Sequence, residues 1–268
     1  VEDGGAKERF KVVAVALYGG EVLGEQRLVR GAERAKQFRV MTAAPDETKE
    51  IPDPELMQRA VWDNMRLRDF TLRGNLRVDD GKKRVLHPII LKTKGRKMVY
   101  EFLEQPLQIR VQLTPAGSIV DRRNGPDEKW EMVSGKERLK KILNSDIAYE
   151  DLGVDFLRWS KVTALGMDSI KTLKAWAYEA EPPSLSSYTK ARYWISADYL
   201  SILRVDAYDA DGEVIKRVGV NGVMRVGDSY VIKEMMISSM IPGRDLSRSR
   251  SYIQIKKAEP GSGLNLID

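Results

Sequence analysis

His87 is the single histidine of the 268-residue chain, and cysteine is absent. That pairing excludes thiolate nucleophiles, disulfides and a metal site built from His and Cys. A Ser–His–Asp triad would have to use His87, which precedes Pro88 in a strand-like run. No G-x-S-x-G elbow accompanies it, and a position on a strand edge suits a residue before proline better. Asp209-Ala210-Asp211-Gly212 resembles a calcium loop, but the place where an EF-hand carries its Glu holds Val218, so a hairpin is expected there. Phosphate-cradling Gly-rich patterns are missing, and no carboxylate pair stands out among the 39 acidic residues. The chain is therefore expected to be no enzyme, with no metal and no cofactor.

Two charged stretches remain. Arg244, Arg248 and Arg250, with Lys256 and Lys257, could meet phosphates, but only Tyr252 interleaves with them. A stacking platform for nucleic acid needs more aromatic surface, so a solvated strand face is the expected role. Ser145–Leu152 sets Asp146, Glu150 and Asp151 beside Tyr149 and Leu152. Such a run can cap a helix and pin a lid, or offer an acidic contact to a membrane partner; the structural role is preferred, because Ser and Asp are natural caps.

The elements that must position these residues follow from periodicity. Residues 1–50 read as an N-terminal extension, with Val12–Leu17 as a short buried strand and helical spacing over Gly24–Met41. Pro45–Pro54 reads as a linker. Asp53 is placed to cap a helix whose first residue is Pro54 and which runs to about Arg66. From Phe70 the period becomes 2, with Phe70, Leu72, Gly74, Leu76 and Val78 on one face. Further strands are expected over Lys83–Leu91, Lys97–Leu103 and Leu107–Leu113, and near Ile119 and Trp130. After helix-like spacing over Lys136–Asn144 they resume at Arg158–Leu165, Lys171–Glu179, Ala191–Ile195, Leu200–Tyr208, Glu213–Val226, Tyr230–Ile241 and Ser249–Lys257. Hairpin signals stand at Asp211-Gly212 and Gly227-Asp228. Short turns impose antiparallel pairing.

The fold class expected is mainly β (α+β): a large curved antiparallel sheet forming a half-open barrel of about 11 strands, covered by helices, over residues 51–258. Residues 259–268 form a Gly/Ser-rich tail. About eight strands already suffice to hold one small ligand. A larger curl should exceed its own side-chain volume, so two short covers would leave an apolar cavity. Leu72, Leu76, Val78, Met98, Tyr100, Phe102, Ile109, Val111, Met224, Met235 and Met236 are candidates to line it. Leu56, Val61, Met65, Tyr149 and Leu152 are candidates for the lid. The methionines serve equally well as ordinary core filler.

Charge on both faces of several strands (Arg204 and Asp206; Lys216 and Arg217) and an aromatic content of 7% argue against a lipid-spanning barrel. The net charge of +6 favours anionic partners, though 45 basic against 39 acidic residues is mostly a solvated surface.

Ser145-Asp146-Ile147-Ala148-Tyr149-Glu150-Asp151-Leu152 resembles the S-D-x-x-Y-E-D-L signature of a branch of the outer-membrane lipoprotein-sorting family, related to LolA/LolB-like carriers. The order of later segments is similar too: Arg192–Ile195, Asp198-Tyr199-Leu200, Tyr208-Asp209-Ala210-Asp211-Gly212 and Lys233-Glu234-Met235. The resemblance covers about residues 53–257 and implies an incomplete barrel closed by helices. It also implies a periplasmic protein, exported on a leader absent from this sequence, that holds a lipid or a lipoprotein acyl chain. An inner-membrane exporter and an outer-membrane acceptor are implied partners, with peripheral membrane contact, no nucleic acid and a monomeric state. No counterpart of the arginine that classical carriers use in opening and closing is found. The alternative is a partner-binding or sensor module beside an envelope exporter, its function carried by edge strands and residues 1–50.

Overall fold

The computed structural model describes residues 20–21, 51–65, 67–183, 185–226 and 229–261. The expected strand at Val12–Leu17, the helix over Gly24–Met41, the Gly227-Asp228 turn and most of the Pro45–Pro54 linker lie outside the described residues.

Helix α1 (Pro54–Asn64) begins where local chemistry demands. The Asp53 carboxylate accepts from the Glu55 and Leu56 backbone N–H groups at 3.0 Å each, and Pro54 loses nothing at a position whose N–H has no helical partner. Met57, Ala60, Val61 and Met65 form its buried stripe. Replacing Asp53 by Ala should lower unfolding free energy by about 1 kcal/mol, read from urea denaturation. No change would mean that packing alone sets the helix start.

The remaining elements are strands. The first half comprises β1 (Gly20–Glu21), β2 (Leu67–Asp79), β3 (Arg84–Gly95), β4 (Lys97–Phe102), β5 (Leu107–Thr114), β6 (Gly117–Asn124) and β7 (Glu131–Met132). The second half comprises β8 (Lys161–Ile170), β9 (Leu173–Glu181), β10 (Lys190–Ser196), β11 (Ile202–Tyr208), β12 (Val214–Val226), β13 (Ser229–Met240) and β14 (Ser247–Pro260). They form one antiparallel sheet ordered β7-β6-β5-β4-β3-β2-β14-β13-β12-β11-β10-β9-β8, with β1 against β13. Two meanders thus meet at the β14–β2 ladder, where Ile253 stands opposite Leu76. A Cβ on Gly74 would stand 1.9 Å from the Gln254 carbonyl oxygen, so glycine is what lets the meanders approach at the bulge near Ile255.

Among the described residues this is an open, fourteen-stranded sheet with one α-helix, larger than the expected barrel of about 11 strands. Edge strands β7 and β8 do not pair with each other, so the chain must travel between them. Residues 133–160 make that crossing, and they are the lid. The helix expected over Lys136–Asn144 is replaced by short 3₁₀ turns at Gly135–Leu139 and Ile142–Asn144, followed by others at Tyr149–Gly153 and Asp155–Arg158. Leu143 (φ 46°) and Asn144 (φ 57°) adopt left-handed backbone, which ends any α-helix at that point. One buried cluster joins α1, the lid and the inward faces of both meanders, so the sheet curls round a shared interior.

On the outer face, Asp206 is almost fully buried between the guanidiniums of Arg204 and Arg217, and Arg217 also reaches Asp245. Of the charges that argued against lipid exposure, Arg204, Asp206 and Arg217 are therefore neutralised within that face. On β3 the Pro88 carbonyl still accepts from the Leu103 N–H at 2.9 Å, just past the end of β4, so the local edge of this strand begins at His87.

Candidate functional site

Between the lid and strands β11–β14 lies a cavity of about 640 Å³, inside the usual range of ~300–1,000 Å³ for small-molecule sites. Its floor follows from strand register. Val205 of β11 faces Val218 of β12, which faces Ile237 of β13; Val220 faces Met235, which faces Ile253 of β14. Opposed residues of an antiparallel pair share a face, so two rows of aliphatic side chains are laid side by side. Val218 and Val220 are half-buried and border the space. Ile147, Leu152, Phe156 and Trp159 of the lid form the roof, and the Pro182–Tyr188 excursion closes one side. Ile119 and Leu185 stand at the rim, 42% and 62% exposed.

Beyond the aliphatic rows the same inward face turns polar. Lys216, Ser239 and Ser249 stand opposite one another across β12, β13 and β14, and Ser251 is opposite Ile237. These groups hold the octapeptide. Asp146, 1% exposed, accepts from the hydroxyls of Ser239, Ser249 and Ser251, and its own N–H donates to Ser251 Oγ at 2.8 Å. Asp151 accepts from Lys216 Nζ at 2.5 Å, the Ala148 N–H at 2.6 Å and the Tyr188 hydroxyl at 2.6 Å. Burial, and then the carboxylates of Asp151 and Glu150, hold the Tyr188 phenol well above its ordinary range, so it stays a donor. Glu150 accepts from Ser186 Oγ at 3.0 Å and from Ser187, tying down the excursion.

The far end of the lid is fastened to β6. Asp155 accepts from the Ser118 N–H at 2.9 Å, Ser118 Oγ at 2.8 Å, Arg138 Nη2 at 3.0 Å and Arg158. A Cβ at Gly153 would fall 2.0 Å from Ser118 Oγ, so only glycine lets the lid seat there.

Of the residues expected to line a cavity, Met235 does so, and Leu152 does so from the lid. Leu72, Leu76, Val78, Met98, Tyr100, Phe102, Ile109 and Val111 are buried in the same cluster as Met57 and Val61 of α1 and Tyr149 of the lid, outside the cavity lining. The first meander spends its inward face on core contacts, and the space opens over the second. Met224 is half-buried against that cluster, and Met236 lies opposite Tyr252, one residue out of phase with Met235. Val61 and Met65 are core residues, whereas Leu56 is 45% exposed because Met57 takes the inward place beside it. The sequence reading missed the valine and isoleucine floor, the Ser239/Ser249/Ser251 set and Lys216. A signal existed for the serines: Ser249, Ser251, Ile253 and Ile255 alternate in phase, so the hydroxyls share the isoleucines' face.

A family model described as an uncharacterized protein matches residues 127–265, just over half of the chain. No curated protein matches it. Among solved structures, a DUF1329 family protein from Desulfovibrio piger ATCC 29098 aligns with TM-score 0.65 at 14% identity, over 81% of this chain and 96% of that one. A putative outer membrane lipoprotein-sorting protein domain from Vibrio parahaemolyticus aligns with TM-score 0.65 at 16% identity, over 80% and 93%. A LolA superfamily protein from Nitrosomonas europaea gives TM-score 0.57 at 12% identity, over 78% and 94%. The resemblance read from the octapeptide is borne out at the level of the fold.

Proposed function

We propose that this chain, which belongs to the uncharacterized protein family matched over residues 127–265 and has the LolA-like fold, is a periplasmic carrier or binding protein that holds a lipid or lipoprotein acyl chain. The observation that carries this reading is the roofed aliphatic cavity over β11–β14. Its floor offers no hydrogen-bonding side chain along two rows of strand register, and Lys216, Ser239, Ser249 and Ser251 at its margin serve to anchor the lid. Such a site selects by apolar area. About ten methylenes at ~0.8 kcal/mol each would contribute ~8 kcal/mol before ordering costs, enough for retention that remains reversible. Ile119 and Leu185 at the rim give an arriving chain an apolar first contact, in keeping with cargo handed over at a membrane surface or by a partner.

Native mass spectrometry of protein released by gentle lysis is expected to show a fraction carrying lipid mass. Consistently lipid-free protein that also fails to bind dodecanol would defeat the proposal.

A second reading, a partner-binding or sensor module, is favoured by β8. This edge strand exposes Leu165 and Met167, each 44% exposed, beside a row of backbone groups that no strand among the described residues pairs. Substitution of both residues by Ser should leave dodecanol binding untouched under the carrier reading.

A further inference from the structure

One group in the lining is only partly used by the lid anchors. Arg158 lies at the end of the last 3₁₀ turn, and its side chain is only 8% exposed. Its Nη2 donates to the Gly153 carbonyl at 2.9 Å and to Asp155. Its Nε and Nη1 are buried without a hydrogen-bond partner among the described residues, and one face of the guanidinium lies 4.5 Å from the Trp62 ring centroid. The ring offers a π-face but accepts no in-plane N–H. Buried cationic donors left unmade are costly, and arginine cannot escape by losing its proton.

Charge counting points the same way. Arg138 and Arg158 share the single carboxylate of Asp155, which leaves this corner with one uncompensated positive charge. Two other ion pairs of the lining are internally balanced, Asp151 with Lys216 and Arg204 with Asp206, while the Glu150 carboxylate keeps its charge among the hydroxyls of Ser186 and Ser187.

We propose that the cavity takes an acyl chain bearing one acidic group, a carboxylate or phosphate whose oxygens accept from Arg158 Nε and Nη1 while the chain lies along the valine and isoleucine floor. This inference rests on the carrier reading and narrows it to anionic single-chain amphiphiles. A neutral chain would leave both donors unsatisfied in a low-dielectric corner. An anion satisfies them and balances the arginine pair.

The test compares three probes of equal chain length at pH 8: dodecanol, dodecanoate and dodecyl phosphate, each displacing a neutral fluorescent dye. The full chain is expected to bind at least one acid about tenfold or more tighter than dodecanol. The tighter acid identifies the source, a free fatty acid or a phosphorylated lipid. In Arg158→Gln the preference should fall to near unity, and Arg158→Lys should recover part of it. The parent's selectivity needs no variant and stands as a test even where Arg158→Gln folds poorly. Equal binding of all three probes by the parent, or a preference undiminished in Arg158→Gln, overturns the inference and leaves the carrier reading intact. Failure of all three probes to bind overturns both.

Discussion

Replacing Asp146 by Ala is expected to lower unfolding free energy by about 3 kcal/mol and to detach the lid. The carboxylate is buried and accepts three serine hydroxyls drawn from β13 and β14, so its loss strands several polar groups at once. A hydrogen bond to a charged group contributes ~1.5–3 kcal/mol, and part of the sum returns because the desolvation cost of the carboxylate disappears with it. Urea denaturation followed by tryptophan fluorescence measures the change, and hydrogen exchange should show faster exchange at the Ala148 and Asp151 amides. A loss below ~0.5 kcal/mol, the range of ordinary surface substitutions, would mean that Asp146 does not anchor the lid. Ser239→Ala, Ser249→Ala and Ser251→Ala should each cost less, and combining any of them with Asp146→Ala should be markedly non-additive.

Val220→Phe is expected to separate binding from stability. In a filled core the larger ring would cost ~1–3 kcal/mol through overpacking. Val220 instead borders open space above the floor, opposite Met235. The ring should occupy volume that a ligand chain would use, displacing roughly three or four methylenes at ~0.8 kcal/mol each. Dodecanol affinity should therefore fall about a hundredfold. Thermal stability should be unchanged or raised, as with other cavity-filling replacements, which commonly add ~0.5–2 kcal/mol. Isothermal titration with calorimetric unfolding on the same sample distinguishes the cases. Retained affinity with lowered stability would mean that the position is core.

What could be read from the chain follows the range of the forces involved. The Asp53-Pro54 helix start is fixed by three or four neighbouring residues, so it was legible. The strands were legible because a half-buried sheet writes its two faces directly into alternate residues; β2 keeps Phe70, Leu72, Leu76 and Val78 inward as expected. The lid was not. Its path depends on contacts between residues far apart in sequence, Asp146 with Ser251 across 105 positions and Ser118 with Asp155 across 37 among them. Leu143 and Val154 (φ 46° each) take a backbone region that such residue types rarely enter, so the segment's spacing resembles a helix that its tertiary contacts forbid. The site divides similarly. An apolar cavity could be expected from strand number, but its placement over the second meander could not. Both meanders contribute buried apolar residues, and the three-dimensional course of α1 and the lid decides which one is covered.

The most direct test of an acyl-binding cavity is to locate the chain itself. Crystals grown with a dodecyl chain brominated at its terminal carbon should give an anomalous peak between the lid and Val218, Val220 and Met235. A peak confined to the outer surface, or no peak beside a floor closed over by its own side chains, would contradict the account.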